Sequence, residues 1–184
     1  MSFPAEYNWL LSPELNPLPK TIQVAIREIG VAEIVGKGSS DRIMRWRDVL
    51  KASGANVAGF SDDDIPWCGL FVAYVCHASG KEVAKDPLWA KNWAKYGTKV
   101  DKPCLGDILV YERPGGGGHV EFYIAETEDL YIGIGGNKTN RVKISPIEKS
   151  RCIAVRRVKM SVAPASMRPF YLTRVGEAPT TNEA

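Results

Sequence analysis

The sequence predicts an α+β domain, with N-terminal helices packed on an antiparallel β-sheet. Two observations carry this. Up to Gly97 the apolar residues recur at helical spacing, and from Gly106 onward they alternate, so the period changes from 3.6 to 2. The helical segments come first and the strand segments follow as a run, which is the order of an α+β fold. At 184 residues, 45% hydrophobic and 24% charged, the chain suits one ordinary domain with a real core. That domain is expected over residues 20–160, between an arm at 1–19 and a tail at 161–184.

The arm is punctuated by Pro4, Asn8, Pro13, Asn16, Pro17 and Pro19, which predicts irregular backbone, with Trp9, Leu10 and Leu11 as an anchor. A helix is expected over 21–29, where Ile22, Ala25, Ile26 and Ile29 share a face and Gly30 supplies the stop. After the loop "GKGSSD", Ser39 or Ser40 can cap a second helix over 41–52, with Ile43, Trp46, Val49 and Leu50 as its stripe. "DDDIPWCGLFVAYVCHASG", residues 62–80, reads as a third helix. Pro66 suits its first turn, the three aspartates suit the positive end of its dipole, and Gly80 closes it. Trp67, Leu70, Phe71, Tyr74, Val75 and Ala78 form its apolar face. A short helix fits 88–96. "DILVYE", "HVEFYIAE", "LYIGIG", "RVKIS" and "CIAVRRV" are strand candidates. The tail after Met160 is polar and proline-bearing, and its last eight or so residues are expected to be disordered.

Composition narrows the function classes. A net charge of +3 suits a polyanionic surface but is too weak to argue for nucleic acid. No apolar run reaches membrane-spanning length, so no stable membrane insertion is expected. The opening residues lack a basic n-region and a long apolar core, which predicts synthesis in the cytoplasm without a signal peptide. Cys68, Cys76, Cys104 and Cys152 show no C-x-x-C spacing, and reduced thiols follow.

Cys68 falls in the first turn of the third helix, where unsatisfied N–H groups favour a thiolate. Cysteine is also a common buried residue, so position alone leaves both readings open. His119 opens a strand after four glycines, 115–118, which allow close backbone approach or simply form a mobile hairpin. Alternation places His119, Glu121 and Tyr123 on one face, and Val120, Phe122 and Ile124 on the other. A histidine there could be general base to a thiolate on a helix packed across its face. His77 reads as a surface or boundary residue. Cys68, Cys76 and His77 do not share a helix face, and no metal-ligand spacing occurs, so no metal is expected. Asn137 could accept the imidazole N–H, although Gly-Gly-Asn is also plain turn punctuation. Glu121 competes for that role, but same-face neighbours on a strand lie about 7 Å apart, so its side chain would have to bend back.

Six motifs in order carry a resemblance. "DDDIPWCGLFVAYVCHASG" resembles a "PWC-x-x-FV" nucleophile helix, and "CLGDILVYER" a "PGDIVVF" strand. "GGGGHVEFYIAE" is similar to "GHVGFY", and "IGIGGNKTNRVKIS" to "LGGNQSN-x-V". "AIREIGVAEIVGKGSSDRI" and "WAKNWAKYG" match an upstream helix-loop and an "A-x-x-W-x-x-W/Y-G" helix. These are motifs of the CHAP and NlpC-type cysteine amidase/peptidase superfamily, in a phage endolysin-like subfamily, and the likeness spans residues 20–158. The resemblance implies a papain-like fold that cleaves amide bonds in bacterial peptidoglycan, with no cofactor and as a monomer. It makes Cys68 the nucleophile, His119 the base and Asn137 the third polar group. Trp67 and Glu121 are the candidate substrate contacts. The family usually has glycine where this chain has Glu121, and a carboxylate there could raise the histidine pKa or meet a cationic substrate group. A holin, a virion or a secretion system would give access to the wall. A non-catalytic virion or wall-binding module on the same fold, and a cysteine hydrolase of protein substrates, are the alternatives. Whether the enzyme would be an amidase or an endopeptidase stays open.

Overall fold

In the computed structural model, which describes residues 3–176 and 178–179, three α-helices lie on one face of a six-stranded antiparallel sheet. The helices are α1 (Lys20–Arg27), α2 (Asp41–Ala52) and α3 (Cys68–Ala78). The strands are β1 (Thr98–Lys99), β2 (Ile108–Glu112), β3 (Gly118–Glu126), β4 (Leu130–Gly135), β5 (Lys143–Glu148) and β6 (Cys152–Arg157). The sheet runs β1-β6-β2-β3-β4-β5. β2 to β5 form a meander of neighbours, and β6 returns to pair with β2 on the far side. The architecture is α+β, as the change of period predicts.

α2 spans the expected residues, while α1 ends two residues early. Its last turn is drawn off by Glu28, whose carboxylate takes both guanidinium arms of Arg42 on α2. Gly30 then turns at φ 90° and donates its N–H to Val142 O, which ties the helix end to the sheet side. Trp46 on α2 packs on Trp67, Phe71 and Tyr74, with ring centroids 5.4 to 6.0 Å apart. Fully burying one such ring stabilises the fold by about 1.5–3 kcal/mol.

α3 differs most from expectation. It begins at Cys68, not at Asp62, because the residue before a proline avoids the helical region and Ile65 precedes Pro66. The aspartates do not serve as charges on the helix dipole. Asp63 is buried, and its Oδ2 accepts the backbone N–H of Ile34 at 3.1 Å and of Ser40 at 2.7 Å, stapling the 31–40 loop. Nor does α3 have a single apolar face. Cys68 to Ala73, Val75 and Cys76 are all buried, so the helix is enclosed on nearly every side. Gly69 permits this, since a side chain there would stand 2.7 Å from Leu88 O.

Ala90–Lys95 is a 3₁₀ segment instead of an α-helix. The two-residue β1 was not foreseen, and β5 runs through Pro146, which an edge strand tolerates. The arm is ordered by two 3₁₀ turns, Ala5–Leu11 and Pro13–Leu15. Tyr7 and Leu10 are its buried anchors, whereas Leu11 is exposed. Trp9 packs on Phe170 of the tail at 4.9 Å, Ser166 donates to Pro17 O, and Leu172 N donates to Glu126 O. The disorder expected at the C-terminus falls mostly on residues outside those described. Among the described residues no helix is long and apolar enough to cross a membrane.

Candidate active site

Both faces of the sheet are covered. Val120, Phe122 and Ile124 join the helices in the main core. Leu109, Tyr111, Tyr123 and Ile147 form a second apolar cluster. Glu121 bonds to Tyr111, and the His119 ring lies 6.2 Å from the Tyr111 ring. His119 and Glu121 therefore lie on the face of the second cluster, away from the helices. Cys68 still reaches His119, for a reason that alternation alone does not show. The β3–β4 ladder starts at Phe122↔Ile134, so His119 and Val120 lie beyond its end. There the start of α3 comes beside β3, and the Val120 backbone N–H is turned to the Cys68 sulfur.

Cys68 is the first residue of α3 and only 3% exposed. Burial works to raise its pKa. It is outweighed by the polar contact and charge of His119 and by the backbone N–H groups of Val120 and Gly69, and the net shift is downward. His119 is fully buried, which works to lower its pKa, but contact with Cys68 and Glu121 pushes it up to about 9. The two shifts are one fact: each group favours the charged form of the other. Neither ring nitrogen makes a hydrogen bond of ordinary geometry, and Nε2 stands 3.6 Å from Glu121 Oε2.

Of the four thiols, Cys68 alone is shifted toward thiolate. Burial pushes Cys76 up to about 12 and Cys152 to about 11, and raises Cys104 as well. His77 is half-buried near the far end of α3.

Glu121 does bend back to His119, and two glycines explain how. A side chain at Gly133 would collide with the Glu121 carboxylate. One at Gly135 would stand 2.9 Å from Glu121 Cβ and 3.2 Å from His119 Nε2. The alternation Gly133-x-Gly135 thus leaves a floor on β4 on which both β3 side chains lie. The carboxylate accepts from Tyr111 Oη at 2.9 Å and is ion-paired with Lys138, which is itself fully buried. Burial works to raise the Glu121 pKa, but Lys138 and His119 outweigh it, and the carboxyl is held below its ordinary value. The cation expected from a substrate is supplied by the chain's own lysine. Sequence reading missed Lys138. The signal for it is the pair of alternate glycines opposite Glu121, which locally reads as strand and turn.

The four glycines before His119 divide in role. Gly115, Gly116 and Gly117 have open space around them and positive φ, as a hairpin loop needs. Only Gly118 is close-packed, since a side chain there would meet Tyr111 O at 2.9 Å and Lys91 Cγ at 3.0 Å.

Asn137 follows this floor in the left-handed region at φ 58°, buried, with Oδ1 making no hydrogen bond. It does not bond to the His119 ring, whose Nε2 stands beside Glu121. Trp67 has no exposed surface with which to meet a substrate. Its indole N–H donates to Glu33 Oε2 at 3.0 Å, and its ring packs where a side chain at Gly136 would otherwise stand, so it sets the start of α3.

For a metal, the candidate donors are Asp62, Asp63 and Asp64, whose ligand atoms lie within 4.8 Å of one another. Asp63 has one oxygen committed to the loop staple. A groove of about 1120 Å³ lies at the far end of α3 among Gly80, Lys81, Lys95 and Lys159, and includes neither Cys68 nor His119. A hollow of about 470 Å³ is lined by Asn56, Gly59, Asp86, Leu88, Asn92 and the exposed Trp89. It adjoins Gly69 through Leu88. The chain matches no family model and no curated protein.

Proposed function

We propose that this chain is a cysteine-dependent hydrolase of papain-like fold that cleaves an amide bond of bacterial peptidoglycan, as an endolysin does. The observation that carries the reading is the juxtaposition of Cys68, at the start of a buried helix, with a buried strand histidine backed by Glu121. The substrate class comes from the six motifs in order, not from the geometry.

In this mechanism the Cys68 thiolate attacks the carbonyl carbon of the stem peptide or of its link to muramic acid. Backbone N–H groups at the start of α3, including that of Cys68, stabilise the oxyanion. The His119 imidazolium gives its proton to the leaving amine, and the C–N bond breaks to leave an acyl-thioester. His119 then takes a proton from water, which attacks the thioester and releases the acid and the thiol. Glu121 holds the ring's other nitrogen and the charge it carries. The wall would be reached after release from the cytoplasm.

Mass spectrometry of fragments released from purified peptidoglycan tests this. A new N-terminal alanine marks an amidase, and a cut within the stem or cross-bridge marks an endopeptidase. Release that persists in Cys68→Ala would overturn the reading. The 3% exposure of Cys68 favours one rival, a non-catalytic module on the same fold. A wild-type chain that releases nothing, and whose Cys68 resists alkylation, would bear that rival out.

A further inference from the structure

A hydrolase needs a nucleophile and a base, but nothing in that requirement calls for a buried lysine behind them. Lys138 is fully buried, and its ammonium donates to the Glu121 carboxylate, to Gly133 O at 3.2 Å and to Ser145 O at 2.9 Å. An ammonium so engaged is a fixed charge in a place that penalises charge, tolerable only because it is paired and bonded. Four groups thus follow one another in contact: Lys138, Glu121, His119 and Cys68. We propose that Lys138 is a positioning residue for the Cys68–His119 pair: it holds the Glu121 carboxylate ionised on the floor of Gly133 and Gly135, and that carboxylate holds the imidazolium toward the sulfur.

The argument runs through the cost of burial. Without Lys138 the Glu121 carboxylate would be a buried charge with no cation behind it, and burial favours the protonated acid. A neutral acid gives His119 no counter-charge. The ring then loses its proton more readily, and the Cys68 thiol keeps its own. Tyr111, Tyr131 and Cys152, which also border these groups, stay neutral and do not replace the lysine. Burial, with Glu121 next in effect, raises Tyr111 on β2 well above its ordinary value. Burial likewise pushes Tyr131 on β4 to about 12 and Cys152 on β6 to about 11. Ser145 offers only its carbonyl to Lys138.

The inference rests on Cys68 and His119 being the reacting pair, and its test needs no wall substrate. The full chain has two histidines, so His77→Gln assigns the imidazole NMR signals directly. In the otherwise unaltered protein His119 is expected to stay protonated through neutrality and to titrate near 9. A neutral His119 at pH 7 would overturn the proposal. In Lys138→Met the pH midpoint of Cys68 alkylation by iodoacetamide is expected to rise by about one unit, slowing the reaction by up to about tenfold at pH values below the wild-type midpoint. Glu121→Gln/Lys138→Met removes both buried charges, so it is expected to recover thermal stability while its alkylation midpoint stays high. A lysine that merely held the fold together would give back both at once, and that result, like an unchanged midpoint in Lys138→Met, would overturn the proposal. If Lys138→Met does not fold, the double variant and the histidine titration decide. A wild-type chain that shows this thiol chemistry but releases no wall fragments would refute the hydrolase reading alone.

Discussion

The two ends of α3 hold two cysteines in equal burial and opposite chemistry. At the C-terminal end, Cys76 is pushed up to about 12 by burial, which the neighbouring Tyr96 and Lys81 only partly offset. At the N-terminal end, Cys68 is buried just as deeply, yet its pKa falls below the ordinary 9.0. What differs is the set of groups that come to the sulfur. Cys68 meets backbone N–H groups and the buried His119, whereas Cys76 meets a phenol and the charge of Lys81. Burial alone makes an inert thiol, and a charged partner at a helix start makes a reactive one.

Breaking each end should separate these effects. Cys68→Ala is expected to lower peptidoglycan cleavage by at least about 10⁴-fold while the chain stays folded, as loss of a nucleophile does. Cys76→Ala should leave the rate within a few-fold and instead cost about 1–2 kcal/mol of stability, read by denaturant unfolding. Equal loss of activity in both would erase the contrast. His119→Ala should lower the rate by about 10²–10⁴-fold.

The pH profile of cleavage sharpens the same comparison. The folded pKa of His119 is raised, so its charge is complete below the ordinary 6.5 and is lost as pH rises through about 9. The folded pKa of Cys68 is lowered, so its thiolate is lost as pH falls through that depressed value. Activity should therefore decline on both sides, with the alkaline limb near 9 and both limbs belonging to the pair. A rate that kept rising to pH 11 would point to a thiol without a base.

Smaller effects are expected behind the site. Gly133→Ala drives a methyl group into the Glu121 carboxylate and should cost about 1–3 kcal/mol, with a higher midpoint for Cys68 alkylation. Gly116→Ala meets open space but has φ 106°, so it should cost about 1 kcal/mol and leave the thiol unaffected.

How much of this was legible in the sequence depends on whether the signal was local. Helix α2, the hairpin strands and the placement of Cys68 at a helix start follow from spacing, caps and turn residues, which neighbours along the chain decide. The contact of Glu121 with His119 did not follow. A separation of about 7 Å along one strand says nothing of the glycine floor that the next strand provides. Lys138 sits in what reads as a polar turn, and only the closure of β5 beside β4 encloses it. Trp67, next to Cys68 in the sequence, reads as a substrate contact, but the packing of α2 over α3 encloses it. The place of β6 between β1 and β2 is likewise set by tertiary pairing, not by any residue within the strand.

The most direct test is the rate of alkylation at each cysteine as a function of pH, followed by peptide mapping. Cys68 is expected to react first, with a midpoint below 9.0 that moves above 9.0 in His119→Ala, while Cys76 stays unmodified through neutrality. A Cys68 that titrates above 9.0 in the wild-type chain, or that reacts no faster than Cys76, would contradict the account.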